Sequence, residues 1–341
     1  MPIAPGLATG IGSLPYHDAE QAVDLIMTYL PQIPFWPQLP KRDIREGMLT
    51  QFSEQLPCLQ LTEEGLQFVP QDQDRALEHF YSHVIDDDVD YFKISPDYAA
   101  GVPAFIRRLE KTNLDAVHAL KGQITGPFTF GASITNEEKT ALLHDPVMMQ
   151  AIIKGLVMKA KWQIALLRKF GKKIIVFIDE PYLGCFGSAF TPLNKEEVVR
   201  GLSELCEGFA SLDVLIGAHC CGNTDWSLFT DVPGIDIINF DAYGFLDKFT
   251  LYAPQIQQFL QRGGRICWGI VPTQLAENPV SARYLIEQLH QGIAILAKKG
   301  VDQHLLKQNL MVSPSCGLGT LSEDQAATIL KALQEVSRLQ G

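Results

Sequence analysis

The chain has 341 residues, 46% hydrophobic and 20% charged, which supplies a large buried core and excludes a disordered polymer. Its 28 basic and 39 acidic residues give a formal charge of −11 with no basic block, which argues against nucleic acid or an anionic membrane as partner. No stretch approaches the roughly 18 uninterrupted apolar residues of a spanning helix, and the N-terminus lacks a basic region followed by an apolar one. With seven cysteines, an odd number, the chain is expected to be cytoplasmic with free thiols.

From the N-terminus onward, short apolar runs alternate with helical patterns, as βα units around a parallel sheet require. Strands are expected at 7–12, 33–36, 117–122, 174–179, 213–220, 235–240, 265–270 and 309–314. Eight such runs predict an α/β chain folded as a (β/α)₈ TIM barrel, and with no Pro/Gly/Ser linker residues 1–341 read as one domain. Residues 37–116 break the rhythm and are expected to form a loop and helical elaboration after strand two. Within it, Leu59-Gln60-Leu61 and Leu66-Gln67-Phe68-Val69 flank Glu63-Glu64-Gly65 as a hairpin would, and Asp86-Asp87-Asp88-Val89-Asp90 reads as a solvated turn. A long helix is expected to start at Asp145-Pro146 and stop near Gly171, while Asn194 with Glu197 and Ser322 with Gln325 have capping-box spacing.

Barrel enzymes gather their chemistry at the C-terminal ends of the strands. Strand one closes on Ile11-Gly12-Ser13, a turn whose backbone N–H groups suit a small anion. Strand four closes on Asp179-Glu180-Pro181, two carboxylates suited to a ligand amine or a proton. Strand five closes on His219-Cys220-Cys221, where i, i+2 alternation puts His219 and Cys221 on one face and turns Cys220 to packing. Strand six ends at Asp241, which reads equally as a metal ligand, a partner of His219 or a turn residue, and strand eight ends at Cys316. One imidazole and two thiolates suit Zn²⁺, and three protein ligands leave a position open for another thiol. Cys316-Gly317-Leu318-Gly319-Thr320 leads into a helix, where glycine either receives a phosphate or lets the backbone pass the metal. Cys58, Cys185, Cys206 and Cys267 are expected to be buried packing residues, and the remaining histidines surface or structural ones.

Taken together, Ile11-Gly12-Ser13-Leu14-Pro15, Thr125-Gly126-Pro127, Ile178-Asp179-Glu180-Pro181, His219-Cys220-Cys221 and Ser315-Cys316-Gly317-Leu318 resemble the catalytic barrel of cobalamin-independent methionine synthase, within the uroporphyrinogen decarboxylase-like superfamily. The resemblance implies zinc on His219, Cys221 and Cys316, with an acidic fourth ligand at Asp241, shorter than the family's glutamate. It implies that Ile11-Gly12-Ser13 and Asp179 hold the carboxylate and amine of homocysteine, with Glu180 shaping the site, and that the activity is S-methylation of that thiol.

Two departures concern the methyl donor. Enzymes of the family carry a second, N-terminal barrel that helps bind a polyglutamylated folate, which 341 residues do not accommodate, and a catalytic histidine after strand seven, where this chain reads Gly269-Ile270-Val271-Pro272-Thr273-Gln274. His219-Cys220-Cys221-Gly222 also resembles the HxCG of corrinoid-linked methyltransferases, so the donor stays open between methyltetrahydrofolate and a methylated corrinoid protein. A zinc-binding accessory barrel is the alternative. A metal-free tetrapyrrole decarboxylase is the more distant one, with only Arg42 and Arg45 to grip substrate carboxylates.

Overall fold

The computed structural model describes residues 3–136, 138–188, 193–274 and 280–340. The strands are β1 (Leu7–Ala8), β2 (Leu59–Thr62), β3 (Gly65–Phe68), β4 (Ala119–Thr125), β5 (Lys173–Asp179), β6 (Val214–Cys220), β7 (Ile237–Phe240), β8 (Arg265–Val271) and β9 (Leu310–Pro314). Seven of them form one parallel sheet in the order β1-β9-β8-β7-β6-β5-β4. β2 and β3 pair separately as the antiparallel hairpin expected around residues 63–65.

The strand expected at 33–36 does not form as a regular element. Pro34 and Pro37 have no N–H to give to a ladder. What survives is a set of single contacts: Phe35 bridges Lys121 on β4, and Gln38 bridges Ser13 beyond β1. Lys121 N donates to Pro34 O at 2.9 Å and Gln38 N to Gly12 O at 3.0 Å. This run therefore spans the two edge strands of the curled sheet, and the fold is an α/β, TIM-barrel-like one. The run expected at 7–12 is likewise regular only over Leu7–Ala8.

Strand alternation sorts the core into two clusters. Ile175 and Phe177 of β5, Ile237 of β7, Cys267 of β8 and Met311 of β9 face the barrel interior with Leu7, Ile33 and Ala119. Their neighbours Ile174, Val176, Ile178, Ile238, Phe240, Ile266, Trp268 and Val312 face the surrounding helices. The same period of two decides which way the residues at the strand ends point.

The helices start where side chains satisfy their free N–H groups. Asp145 accepts from Val147 N and Met148 N to open Pro146–Arg168, which ends three residues before Gly171 at φ +65°. Asn194 and Glu197 form the full capping box of Lys195–Ala210. Ser322 and Gln325 exchange the same pair of bonds at the start of Glu323–Gln340. Within 37–116, besides the hairpin, lie short turns at Ile44–Glu46 and Thr50–Phe52 and helices Gln73–Ile85 and Gly101–Glu110. The acidic run is a surface turn in which Asp87 pairs with Lys161 and Asp88 with His83. Among the described residues no helix is long and apolar enough to cross a membrane.

Candidate metal centre

β5 and β6 end in register, Asp179 beside His219, at the mouth of the barrel. Continuing the inward phase of Phe177 and Gly217, both side chains enter a cavity of about 290 Å³ whose lining includes Ile11, Ser13, Gln38, Glu46, Cys221 and Cys316. The ligating atoms of His219, Cys221 and Cys316 all lie within 4.8 Å of one another. Cys316 is nearly a hundred residues from the other two and arrives through β9, with the turn at Ser315 tied back by Ser315 N donating to Val271 O.

The imidazole is fixed from behind. His219 is 3% exposed and its Nδ1 bonds Asn239 Oδ1 at 2.5 Å. Asn239 Nδ2 in turn donates to Cys267 O at 2.9 Å and to Ser313 Oγ at 2.7 Å, which leaves Oδ1 as the amide's acceptor and makes His219 Nδ1 the protonated nitrogen. Nε2 then faces the cavity, where its hydrogen bond is with Cys316 and where a metal ion would take the place of that proton, the arrangement of a metal-ligating histidine with an oriented outer partner. Burial would depress the imidazolium, but the hydrogen bond with Cys316 and the nearby Asp179 carboxylate carry its pKa net upward. Cys316 is held below the ordinary thiol range by hydrogen bonds from Cys221 and His219, while Cys221, as donor in that pair, is pushed up. An imidazole with a fixed acceptor nitrogen, beside one thiol already inclined to ionise and a second in contact with it, is the chemistry of a soft cation site.

Asp179 is 5% exposed and its Oδ1 has no hydrogen-bond partner. Burial raises its pKa to about 6 against the pull of His219 and Lys121. A buried carboxylate oxygen on a cavity wall, lacking a donor, suits a cationic or N–H-bearing ligand.

Glu180 does not share that role. One residue further along the strand, it turns to the helix layer, where Oε1 accepts from Phe128 N at 2.9 Å and Oε2 from Thr129 N at 2.8 Å and Thr129 Oγ1 at 2.6 Å. It is fully buried and absent from the cavity lining, and Gly126 is required beside it because a Cβ there would lie 2.2 Å from Glu180 Cδ. Asp241 also lies outside the three-residue cluster. Its Oδ1 accepts from Gly244 N at 2.7 Å as the N-cap of Ala242–Phe249, though its carboxyl still senses Cys316 and His219.

Cys220 points away as alternation requires, buried among the helix-facing residues with its thiol pKa pushed to about 12 by burial. Cys206 and Cys267 are buried as expected, but Cys185 is exposed and Cys58 partly so. Both of these sit at element ends, Cys185 closing the turn Pro181–Cys185 and Cys58 preceding the hairpin at φ +59°, where Cys58 packs only against the margin of the core.

Ser13 links the two halves of the site. Its carbonyl accepts from Leu318 N at 3.0 Å and its Oγ from Gly319 N at 3.2 Å, so the glycine loop after Cys316 is tied to the first turn by amides that a phosphate would otherwise take. The elaborated segment adds Gln38, Pro40, Glu46 and Met48 to the wall, none of which the sequence had singled out. Arg42 pairs with Glu46, and Arg45 with Asp43 and Asp97, so neither is free to grip a multiply carboxylated substrate. Gln274 is exposed after β8, and residues 275–279 lie outside the described ones.

A profile of the family described as the cobalamin-independent synthase catalytic domain matches residues 98–339. A methionine synthase of Methanocaldococcus jannaschii is 26% identical over 223 residues, a match spanning 64% of this chain and 65% of that protein, just under two thirds of its length. A B12-independent methionine synthase from Shewanella sp. W3-18-1, solved in complex with selenomethionine, has the same fold, with a TM-score of 0.62 and 16% identity over 99% of this chain and 98% of that one. With its profile match running from the second helix of the elaboration through the last helix, and a histidine and two cysteines within that match meeting at one cavity, the chain belongs to the cobalamin-independent synthase catalytic-domain family.

Proposed function

We propose that the protein is a zinc-dependent S-methyltransferase that activates homocysteine, or a small thiol of that kind, as its thiolate. The observation that carries this reading is the convergence of His219, Cys221 and Cys316 on a cavity that also presents the unpartnered Asp179 Oδ1. Family membership supports it, as does the selenomethionine complex of the Shewanella relative, a methionine-like ligand on the same fold.

His219, Cys221 and Cys316 would hold the metal, which when bound supplies the positive charge that lowers a substrate thiol's pKa to neutral pH. Asn239 keeps the imidazole aimed. Asp241, which caps Ala242–Phe249 through Gly244 N, would be an acidic side chain able to join that ligand set if it were released from the cap. Asp179 receives the substrate ammonium, while the Ile11-Gly12-Ser13 turn receives the carboxylate. So held, the sulfur attacks the methyl carbon in line: the S–C bond forms as the donor's bond to that carbon breaks, its electron pair stays with the donor, and the thiol proton has already left to solvent. Glu180 acts one step removed, by fixing the Pro127–Ser133 helix against β5.

For the donor we favour a methylated corrinoid over methyltetrahydrofolate. An amine leaving group needs a proton, and the glutamine at position 274 does not donate one as an imidazolium would. Metal analysis of the purified protein and of Cys316→Ser, followed by turnover of homocysteine with free methylcobalamin, tests the reading. One zinc per chain, lost in the variant, and methionine formation are expected. Wild-type protein that takes up no zinc would contradict it, and zinc binding without turnover would point to the accessory barrel instead.

A further inference from the structure

Beneath the cavity lies a lysine that the proposed chemistry does not use. Lys121 sits on the inward face of β4 and is 0% exposed. Its Nζ lies 4.5 Å from the centroid of the Phe177 ring and 5.4 Å from that of Phe35. A methionine of equal length would fill this slot without burying a charge. The ammonium has two hydrogen bonds, to Ile11 O at 2.5 Å and to Gln123 Oε1 at 3.2 Å.

Both bonds converge on Gly12. In a planar trans peptide the carbonyl and the next N–H point in opposite directions, so drawing Ile11 O toward Lys121 turns Gly12 N–H away from it. Gln123, held by Lys121 at one end and donating to Trp36 O at 3.1 Å from the other, packs directly under the same residue. A Cβ on Gly12 would lie 3.0 Å from Gln123 Cδ and 2.5 Å from Gln38 Oε1. The amides of Gly12 and Ser13 meanwhile donate to no acceptor among the described residues, whereas Gly12 O and Ser13 O accept from Gln38 N and Leu318 N. Ile11 and Ser13, on either side, line the cavity. Two adjacent N–H groups without partners among the described residues, on a stretch held by a buried lysine, are available to a ligand anion.

We propose that Lys121 is a positioning residue that presents the Gly12 and Ser13 amides to the substrate's carboxylate, and so makes the site select thiols that carry one. The inference rests on the thiol-methyltransferase reading above. It acts on the carboxylate end of the substrate, remote from the metal ligands, and its signature is therefore a change in discrimination rather than a loss of zinc.

The test compares zinc-loaded wild-type, Lys121→Met and Lys121→Gln by calorimetric titration with homocysteine and with 3-aminopropane-1-thiol, which keeps the thiol and amine but lacks the carboxylate. Zinc content and thermal midpoint are measured alongside. In Lys121→Met, zinc content is expected to stay at the wild-type value while homocysteine binding weakens about tenfold or more, the scale of one hydrogen bond to a charged group. Binding of the aminothiol, which feels Lys121 only through the Asp179 carboxylate, should change clearly less than that of homocysteine, so the preference for the carboxylated ligand falls. Lys121→Gln, which keeps a neutral donor, should fall between, and it carries the test if the methionine variant does not fold. Equal weakening of both ligands, or of neither, overturns the proposal. Wild-type protein whose affinity for homocysteine is indifferent to zinc would instead sink the parent reading, and this inference with it.

Discussion

Replacing Asn239 by alanine removes the group that orients His219 without touching any proposed ligand. The side chain is 0% exposed and holds three polar partners, His219 Nδ1, Cys267 O and Ser313 Oγ. Losing it frees the imidazole to rotate or to place its proton on Nε2, the nitrogen required for the metal. Outer partners of this kind are worth about 10- to 100-fold in metal affinity, or roughly 1.4–2.7 kcal/mol. The change also leaves His219 Nδ1 without its acceptor in the barrel interior, at about 1–3 kcal/mol for a buried group left unpaired, whereas Cys267 O lies within the β7–β8 ladder and is not stranded. Ser313 Oγ keeps its bond to Pro314 O and adds little. Competition for zinc against a chromophoric chelator, with the thermal midpoint recorded on the same samples, separates the two effects. A folded Asn239→Ala protein that holds zinc within about threefold of wild type would refute the orienting role.

Three further outcomes are expected. Asp179→Asn should keep zinc yet raise the KM for homocysteine by about 10- to 100-fold, through loss of a charge-assisted bond to the ammonium; an unchanged KM would remove Asp179 from the substrate site. Cys221→Ser should lose zinc while its neighbour Cys220→Ser retains it and loses about 1–3 kcal/mol of stability by burying a hydroxyl, so matching zinc content in the two would contradict the strand alternation. Burial pushes the Glu180 carboxyl up to about 7 from 4.5 for the free side chain, against the hydrogen bonds from Thr129 and Phe128. The folded chain therefore keeps a proton that the unfolded chain has released, and stability falls as pH rises from 4.5 to 7, by up to about 3 kcal/mol. Asp179 contributes in the same direction but only up to about pH 6. Urea denaturation between pH 6 and 7 should accordingly show a steeper fall in wild type than in Glu180→Gln, where His219, whose pKa is also raised, still contributes; equal slopes would show that Glu180 does not titrate there.

What the sequence made legible follows its short-range periods. Alternation alone placed His219 and Cys221 together with Cys220 turned out, and the cap spacings located the helices that open at Asp145, Asn194 and Ser322. The same alternation, applied to Asp179 and Glu180, would have separated them; reading the pair as one unit put Glu180 in the site, when its carboxylate belongs to the helix at Phe128 and Thr129. Residues whose role depends on distant strands left no local mark. Asn239 reads as one polar residue in a strand until β8 and β9 bring Cys267 O and Ser313 to it. Lys121 reads as an outlier in an apolar run until Ile11 O arrives above it. The second strand was overestimated because apolar character was weighed above the donors that Pro34 and Pro37 lack, and Glu46 entered the cavity from a segment with no period at all.

The most direct test is crystallography of the zinc-loaded protein with homocysteine, with anomalous differences collected on both sides of the zinc edge. One peak is expected among His219 Nε2, Cys221 Sγ and Cys316 Sγ, with the ligand sulfur beside it and the ligand amine at Asp179. A zinc peak elsewhere, or homocysteine bound at this cavity with its sulfur turned away from the three ligands, would contradict this expectation.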